Sequence, residues 1–455
     1  MAPTDVAERW TSTVVLGNGD TAVIRPIDPA DADDLESFHE RQSSESRYRR
    51  YFSPKPKLGD TELKRFTTVD FVDRAAFVVE DHGEFVAWAS YERWKNRDDA
   101  EVAFMVDDDY HGRGIATLLL EHLAAVGRHN GISRFTAQTL SDSRGMLAVF
   151  AKAGWPLQRR FDSGVIDVDF PIDDTDEFID SVERREQRAD SRAMARLLLP
   201  TSIAVVGASA RPGTVGNELW ANVTAVADCP VYAVNPNRDE IDGVATHPSL
   251  AAIPNEVGLA VIAVPAADLP ATIDDCIAKR VRGAVVTTVV DERSGIDLDE
   301  VISRARRNGL RIVGPASMGI ASPRPEIGLG ASLADVRPMR TGSVAVSMQS
   351  GTLGSSLLHH AARLGLGLSW FVSLGDKHDV SANDLLQFWE DDDATSVIAL
   401  YTESFGNPRK FARIARRVAT HKPIVAVRSG AAMVGVGADA LYQQSGLIEV
   451  PTVPA

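Results

Sequence analysis

Short apolar runs alternate along the chain with longer segments that have the periodicity of amphipathic helices, and this pattern predicts three consecutive α/β blocks. The first block, residues 1–172, has a mixed α/β pattern. A helix is predicted to begin near Asp28, where Pro29 lies early and acidic residues fill the first turn. A second, apolar helix is predicted over residues 115–126. Strands are predicted over residues 21–26, 75–80, 84–91, 101–106, 135–139 and 164–170.

A charged segment, residues 173–196, follows the first block. Aspartate and glutamate come first and arginine later, an order that complements a helix dipole and allows i,i+4 ion pairs. This pattern is typical of a solvated helix. We therefore expect a helical linker at this place instead of a binding element.

The two later blocks, residues 197–325 and 340–455, alternate strands with helices. This order predicts a parallel, doubly wound sheet in the second block and another nucleotide-type fold in the third. One helix is predicted over residues 215–226, and Asn407 and Pro408 supply the N-cap and first position of another. Strands are predicted over residues 202–206, 231–235, 259–264, 283–288, 311–313, 343–347, 369–373, 397–402 and 424–427.

Composition narrows the class of protein. The 455 residues suit two to four domains, and 44% apolar with 24% charged residues is a globular composition. A net charge of −15 disfavours nucleic acid as a partner, because phosphate backbones repel an acidic surface. The sequence has neither a secretory signal nor an apolar run of ~18 residues, so no membrane partner is expected. The two cysteines, Cys229 and Cys276, form no CxxC pattern, which favours a reducing cytoplasm without disulfides or a metal site.

The segment between the predicted strand at 101–106 and the helix at 115 carries the clearest chemistry. Gly112 and Gly114 permit a tight turn, and the helix begins directly after it. Such a turn points several backbone N–H groups at one place beside the positive end of a helix, which suits a pyrophosphate. Spacing alone leaves a purely structural turn open as the alternative.

The run His111-Gly112-Arg113-Gly114-Ile115-Ala116 resembles the acetyl-CoA motif of GNAT acetyltransferases, with His111 where Gln or Arg is usual. The resemblance extends to Arg25-Pro26 and to residues 144–155. It implies a GNAT fold and acetyl-CoA as co-substrate, with the pantetheine at residues 105–107 and the pyrophosphate at residues 112–117. The implied acetyl-CoA ligands are Met105, Val106, Asp107, His111, Gly112, Arg113, Gly114, Ile115, Ala116, Thr117 and Ser143.

Glu101 is the candidate general base. An attacking lysine has a reference pKa of about 10.4 and must lose a proton before it can act as a nucleophile. Period-two alternation places Glu101 on the strand face of Ala103 and Met105, where a carboxylate among apolar neighbours is costly unless it has a use. The alternative is a glutamate that simply reaches water. Glu101 also matches the glutamate that bacterial GNAT protein lysine acetyltransferases use as base.

The general acid of many GNAT enzymes is a tyrosine that follows an asparagine by seven residues. The matching positions are Ser143 and Phe150, so both groups are missing. A free thiol pKa of about 8.5 makes the CoA thiolate a fair leaving group, so acyl transfer does not require that acid. The missing tyrosine therefore puts the acid in doubt and not the reaction.

A second glycine-containing turn follows the predicted strand at 202–206. Its spacing suits a phosphate loop, but Ser209 replaces the middle glycine of a dinucleotide motif and Asn235 replaces the ribose-binding acid, so NAD fits poorly. With Gly314-Pro315, and Ala316 where Asn is usual, the block resembles the Rossmann-like CoA-binding domain of NDP-forming acyl-CoA synthetases. The resemblance implies a second CoA or acyl-CoA site at Gly207, Ala208, Ser209, Arg211, Gly213, Val215, Gly216, Asn235, Pro236, Asn237, Val264 and Pro265.

The third block resembles the flavodoxin-like succinyl-CoA ligase-type domain of the same enzymes, in residues 347–351, 371–376 and 401–408. Those synthetases carry phosphate on a loop histidine. Here Arg428-Ser429-Gly430 follows the matching strand, and the last histidine, His421, precedes it. We therefore expect no phosphohistidine and no ATP-grasp domain, with Glu403 left without its charge partner. The last two blocks resemble a synthetase that has lost its own chemistry.

A GNAT domain joined to such domains resembles bacterial protein lysine acetyltransferases that silence AMP-forming acetyl-CoA synthetases, and residues 41–52 extend the likeness. The resemblance implies acetyl or short-acyl transfer from CoA to a protein lysine, with the synthetase-like domains as an acyl-CoA-binding regulatory module. A homo-oligomer is compatible with it. Three alternatives stay open: an NDP-forming synthetase subunit with a separate ATP-grasp chain, a non-catalytic CoA-sensing protein, and a GNAT enzyme for a small amine.

Overall fold

The computed structural model describes residues 3–95, 97–334, 339–404, 407–428 and 445–450. The chain divides into two compact units, Met1–Ala189 and Asp190–Ala455. Within the described ranges no helix is long and apolar enough to cross a bilayer.

The first unit contains eight strands: β1 Ser12–Val15, β2 Thr21–Pro26, β3 Arg74–Asp81, β4 Glu84–Arg93, β5 Asp99–Val106, β6 Arg134–Leu140, β7 Gln158–Asp162 and β8 Val165–Pro171. They form one sheet in the order β1-β2-β3-β4-β5-β6-β8-β7. Each neighbouring pair is antiparallel except β5 and β6, which are parallel. The predicted strands are confirmed, but β1 and β7 were not predicted; every residue of β7 is exposed, so no apolar pattern marks it.

The helices of the first unit are α1 Pro3–Trp10, α2 Ala32–Arg41, α3 Ser44–Tyr51, α4 Asp60–Thr67, α5 Ile115–His129, α6 Arg144–Lys152 and α7 Asp176–Leu198, which continues past Ala189. The apolar residues of α5, such as Leu119, pack with Phe135 on one face of the sheet. Phe38 of α2 packs with Trp88 on the other face. Strand β3 is buried from Ala75 to Val79, a continuous run typical of a strand covered on both sides.

The helix α7 departs from the predicted solvated linker. Its second half buries Ala193, Met194, Leu197 and Leu198, so the prediction is wrong there. Three of these side chains, those of Met194, Leu197 and Leu198, belong to the core of the second unit. Leu197 packs directly against Gly283, where a side chain would collide with it. Their i,i+3 and i,i+4 spacing forms an apolar stripe that the surrounding arginines mask in the sequence.

The second unit begins with a seven-stranded sheet. Its strands are β9 Ile203–Val206, β10 Val231–Val234, β11 Glu240–Ile241, β12 Val244–His247, β13 Leu259–Ile262, β14 Gly283–Val286 and β15 Arg311–Val313, in the order β11-β12-β10-β9-β13-β14-β15. All neighbours are parallel except β11 and β12. Helix α8 Val215–Val226 packs on one face, and α9 Leu269–Ala278 and α10 Leu298–Arg307 pack on the other. This arrangement confirms the doubly wound parallel sheet.

A second seven-stranded sheet follows: β16 Gly319–Ser322, β17 Leu329–Ser332, β18 Arg340–Met348, β19 Gly367–Ser373, β20 Val397–Thr402, β21 Ile424–Arg428 and β22 Ile448–Glu449, in the order β17-β16-β19-β18-β20-β21-β22. Its helices are α11 Gly351–Leu364, α12 Ala382–Asp391 and α13 Pro408–Ala419. The predicted N-cap is confirmed, because the Asn407 side chain accepts from the Lys410 N–H at 3.1 Å.

The antiparallel strands β16 and β17 were not predicted. They consist mainly of glycine, alanine and serine, and Ile320 is their only β-branched residue, so the usual signal of a strand is weak. Small residues are required here: a Cβ on Gly319 would lie 2.2 Å from the Ala331 carbonyl oxygen, and one on Gly330 would lie 2.6 Å from the Asn222 carbonyl oxygen. The strands therefore depend on close tertiary contact and leave no apolar alternation in the sequence.

A buried ion cluster joins β15 to the start of α12. Arg311 Nε donates to Asp379 at 3.0 Å and Nη2 donates to Asp384 at 3.0 Å, and the Ile312 N–H also donates to Asp379. The Arg311 and Asp379 side chains are 4% and 1% exposed. Charges this deeply buried are tolerated only because each is paired.

Candidate functional site

The parallel strands β5 and β6 separate after a short contact. They pair only through Asp99–Glu101 and Arg134–Thr136, while β5 stays paired with β4 and β6 with β8. Beyond Glu101 a wedge therefore opens between them, and the backbone groups of β5 on that side pair with none of the described strands. Unpaired strand edges can hydrogen-bond an extended amide ligand such as pantetheine.

The turn after β5 leads from the open end of the wedge to α5. Gly112 and Gly114 have φ of +79° and +85°, in the region that favours glycine. The amide N–H groups of residues 112–116 donate to no acceptor within the described part of the chain. A series of free N–H groups at the start of a fifteen-residue helix can hold an anion. A Cβ on Gly112 would meet no protein atom within 4 Å, so this face of the turn is open.

The other predicted acetyl-CoA ligands take different positions around this turn. Met105 is buried on the α2 and α4 side, so only its backbone faces the wedge. The Asp107 side chain accepts from the Asp109 N–H, and the His111 ring contacts the Val106 carbonyl oxygen at 3.1 Å. These contacts fix the turn. Val106 and Ile115 contribute to the core behind it, Ala116 is half-buried, Thr117 is buried, and Arg113 lies over the Tyr110 ring at 4.1 Å.

Glu101 lies at the closed end of the wedge. It is exposed, and it has no ion-pair partner among the residues that the structure describes. It pairs with Glu92 on β4 and Thr136 on β6. Its neighbours on the adjacent strands are thus polar. The expectation that Glu101 lies among apolar neighbours is therefore wrong, because this face of the sheet is apolar only farther along β5, towards Met105. A free carboxylate at this position can accept a proton from an incoming ammonium group.

Two side chains near Glu101 were not found from the sequence. The Trp94 indole is 47% exposed and its Nε1–H donates to Thr136 Oγ1 at 3.3 Å. Arg50 of α3 lies over the Tyr51 and Trp88 rings at 5.0 and 5.4 Å, and its Nε has no partner within the described residues. Burial lowers the pKa of Arg50, an effect that Tyr51 and Glu101 oppose. Arg50 lies in the segment 41–52 that carried the resemblance, but nothing there indicated its role.

Phe150, at the position where many GNAT enzymes have the tyrosine acid, belongs to the hydrophobic core. Phe150 is 2% exposed and packs against the Phe170 ring at 5.5 Å. Ser143, the N-cap of α6, makes no capping hydrogen bond through its side chain. Tyr110, in the turn itself, donates its hydroxyl to Asp81 at 3.0 Å, and burial together with Asp81 raises the pKa of Tyr110 to about 12. A phenol with a raised pKa is a weaker acid, so it does not replace the missing tyrosine.

The second predicted CoA site lies at the carboxyl ends of β9, β10 and β13. A Cβ on Gly207 would lie 2.3 Å from the Ala263 carbonyl oxygen, and one on Gly216 would lie 2.0 Å from that of Gly207. Gly207 is therefore explained by packing of the loop against the residue after β13, and Gly216 by the close approach of α8 to the loop. The Asn235 side chain donates to the Ala208 carbonyl oxygen at 2.8 Å and accepts from the Asn237 N–H at 2.8 Å. The loops are thus held in place before any ligand arrives. The remaining predicted ligands Ser209, Arg211, Gly213, Val215, Pro236, Val264 and Pro265 flank these contacts.

At the corresponding edge of the last sheet, Glu403 lies near a lysine side chain. Lys377 lies within electrostatic reach of Glu403, and its ammonium group donates to Ser404 Oγ at 2.7 Å. Burial lowers the pKa of Lys377, and Glu403 acts in the opposite direction. Glu403 therefore has a positive neighbour. The segment in which the related synthetases carry the loop histidine corresponds here to residues 429–444; these residues, for which we expect no phosphohistidine, and residues 405–406 lie outside the described part of the chain. In the ranges that are described, no group of three or more His, Cys, Asp or Glu residues could hold a metal ion.

Family models match three parts of the chain. The acetyltransferase (GNAT) family matches residues 38–155, a CoA binding domain matches residues 201–323, and the succinyl-CoA ligase like flavodoxin domain matches residues 341–451. These matches confirm the predicted fold types and their order.

Individual relatives match one part of the chain each. An ADP-forming acetate–CoA ligase of Archaeoglobus fulgidus is 37% identical over 279 residues, which are 57% of this chain and 40% of that protein. The acetyltransferase Pat of Mycolicibacterium smegmatis is 34% identical over 167 residues, 36% of this chain and 50% of that protein. The apo acetyl-coenzyme A synthetase 1 structure of Ca. Korarchaeum cryptofilum is 32% identical, with a TM-score of 0.54, over 57% of this chain and 60% of that one. The chain spans half or less of the length of both curated relatives.

Proposed function

We propose that this chain, in which a GNAT-family acetyltransferase domain precedes a CoA-binding domain and a succinyl-CoA ligase-like flavodoxin domain, transfers an acetyl or other short acyl group from CoA to a protein lysine. One observation carries the proposal. The exposed Glu101 carboxylate stands at the closed end of the β5–β6 wedge, whose open end leads to the free N–H groups of residues 112–116. From Glu101 to Val106, β5 runs about 17 Å at about 3.4 Å per residue, a span that an extended pantetheine arm can cover.

The residues suit a direct transfer. Glu101 accepts a proton from the lysine ammonium group, directly or through water, and the neutral amine attacks the thioester carbonyl carbon. A C–N bond forms, the C–S bond breaks and the thiolate leaves, while the second proton of the attacking nitrogen passes to the thiolate or to water. With a thiol pKa of about 8.5 the thiolate needs no protein acid, in agreement with Phe150 in the tyrosine position.

A macromolecular acceptor is favoured over a small amine. Glu101 lies exposed on a sheet face instead of inside an enclosed cavity, whereas sites for small molecules bury most of the ligand. An AMP-forming acetyl-CoA synthetase is the candidate acceptor, on the strength of the sequence resemblance. The free Cys229 and Cys276 support a reducing, cytoplasmic setting as part of the same proposal.

The test is transfer by Glu101→Gln. Glutamine keeps the shape of the side chain, and Glu101 has no ion pair among the described residues to lose, so the fold should persist. Acetylation of lysines in a lysate from acetylation-deficient bacteria, measured by mass spectrometry, should fall roughly 100- to 10,000-fold. Glu84→Gln, at an exposed carboxylate of β4 that pairs with Arg41 at 3.5 Å, is the control and should transfer normally. Wild-type transfer by the Glu101 variant, with an unchanged melting curve, would reject the role.

The second part of the proposal is that the CoA-binding domain holds CoA or acyl-CoA as a regulator. The loops fixed by Asn235 and the glycine contacts around α8 support it. Calorimetric titration of the full chain with CoA should show two binding events. Ser209→Asp places a negative charge in the phosphate loop, so it should remove one event and keep the other. A single event in both proteins would overturn the second site.

A further inference from the structure

We propose that Trp94 forms one wall of the acceptor site and holds the side chain of the incoming lysine against its indole face while the ammonium group reaches Glu101. This inference rests on the proposed transfer to lysine. It assigns the recognition of the lysine side chain to a residue outside the motifs that carry the resemblance.

The position of the indole follows from three neighbouring strands. Trp94 comes directly after β4, and its N–H donates to the Asp99 carbonyl oxygen at 2.9 Å, which continues the ladder with β5. Its side chain contacts Thr136 on β6, the strand beyond β5. Adjacent strands lie about 4.8 Å apart, so the indole must cross β5 to reach β6. Because Thr136 is the register partner of Glu101, the ring crosses beside that residue.

The face of the sheet on which Trp94 lies agrees with this position of the indole. Every second residue of a strand lies on the same face, so residues 88, 90 and 92 of β4 share one face. Trp94 continues this series and therefore lies on the face of Glu92, the partner of Glu101. Diagonal neighbours on one sheet face lie within reach of an aromatic side chain. The indole and the Glu101 carboxylate therefore stand side by side on the surface that a protein acceptor would approach.

The exposure of Trp94 needs an explanation. The other tryptophans of this domain are better covered, with Trp88 and Trp155 only 2% and 5% exposed, whereas Trp94 is 47% exposed. Its orientation is nevertheless fixed, by the backbone bond to Asp99 and the Nε1–H bond to Thr136. A large apolar ring held in place at an open surface is typical of a recognition residue.

The charges around the ring select a cation. Glu92 is paired with Arg65 at 2.6 Å and Asp169 is paired with Arg134. Glu101 makes no such ion pair among the described residues, and the buried Arg50 acts on it only electrostatically. A lysine supplies what this arrangement lacks: its methylene chain covers the ring, and its ammonium group is attracted by both the π face and the carboxylate.

The test compares Trp94→Phe, Trp94→Leu and Trp94→Ala in the full chain. With saturating acetyl-CoA and dilute lysate from acetylation-deficient bacteria, the initial rate of lysine acetylation reports kcat/KM for the acceptor. We expect a loss of roughly 2- to 5-fold for Phe and roughly 10- to 30-fold for Leu and Ala, because leucine keeps apolar contact but has no π face. The acetyl-CoA dissociation constant should not change. Phe161→Ala, at an exposed aromatic residue of β7, is the matched control.

The outcomes separate this inference from the proposed function. Wild-type rates in Trp94→Ala or in Trp94→Leu would overturn the role of the ring, and so would an equal loss of acetyl-CoA binding in all three variants. If the wild-type protein acetylates no lysine at all, the proposed function is wrong, and the inference about Trp94 is wrong with it. If Glu101→Gln is inactive and Trp94→Ala is not, only the present inference fails.

Discussion

Replacement of Arg311 by methionine would remove the cation from the buried cluster while keeping most of the side-chain volume. The Asp379 carboxylate is 1% exposed and the Asp384 carboxylate 15% exposed, so neither can recover its solvation in water. Removal of one partner from such a pair costs about 3–5 kcal/mol. We expect the free energy of unfolding of the second unit to fall by about this amount at neutral pH.

The loss should depend on pH. Burial alone would raise the pKa of Asp384, but Arg311 and the hydrogen bonds from Ser381 hold it below its ordinary value. This carboxylate therefore stabilises the wild-type fold above its unfolded-state pKa of about 3.9, and the contribution disappears as the pH falls through the folded value. In the variant, ionisation of the same group is unfavourable. The difference between the two proteins should be largest near neutral pH and should shrink below about pH 4.

The measurement is urea unfolding followed by hydrogen exchange and mass spectrometry, which reads peptides from β15 and β19 apart from the first unit. Arg304→Met is the matched control, because its guanidinium pairs with Asp274 at 2.9 Å while 34% of the side chain is exposed. That substitution should cost at most about 1 kcal/mol. A loss below about 1 kcal/mol for Arg311→Met, or an equal loss at acid and neutral pH, would contradict the reasoning.

Three further predictions concern single positions. Gly112→Ala should weaken acetyl-CoA binding in calorimetry, whereas Gly131→Ala, at a φ of +73° with equally open surroundings, should cost a similar stability of about 1 kcal/mol and leave binding unchanged; equal affinities would show that the turn is only structural. Ala316→Gly should raise the free energy of unfolding by about 0.5–1 kcal/mol in urea titrations, because Ala316 has a φ of +53°; no gain would show that the site carries no strain. Burial, and then Asp384, raises the pKa of Asp190, so ionisation destabilises the fold as the pH rises above about 3.9. Asp190→Asn keeps an acceptor for Gln387, and its stability relative to wild type should rise between pH 4 and pH 8; a constant difference would refute the shift.

The features that local chemistry determines could be predicted from the sequence. The turn at Gly112 and Gly114, the Asn407 cap and the apolar strands of the parallel sheet each carry their signal within a few residues. Glu101 could be placed on the correct strand and face for the same reason, because alternation is a local property.

The features that depend on other strands could not be predicted. Trp94 reaches its position only by crossing β5 to Thr136, a contact between residues 42 apart. The polar surroundings of Glu101 come from Glu92 and Thr136, whose register is a tertiary property. Strand β17 likewise packs through Gly330 against a carbonyl of α8, and neither segment predicts the other.

The buried half of α7 has a practical consequence for dividing the protein. A fragment that starts at residue 197, where the sequence alone places the domain boundary, would omit Asp190 and Met194. Met194 fills the core of the second unit, and Asp190 accepts a hydrogen bond from Gln387 at 2.6 Å. Such a truncation would leave an apolar gap in the core and remove the hydrogen bond between Gln387 and Asp190, so the fragment should be prone to aggregation. A separately expressed second unit should instead begin upstream of Asp190 and keep the arginine-rich turns of α7 as its new N-terminus.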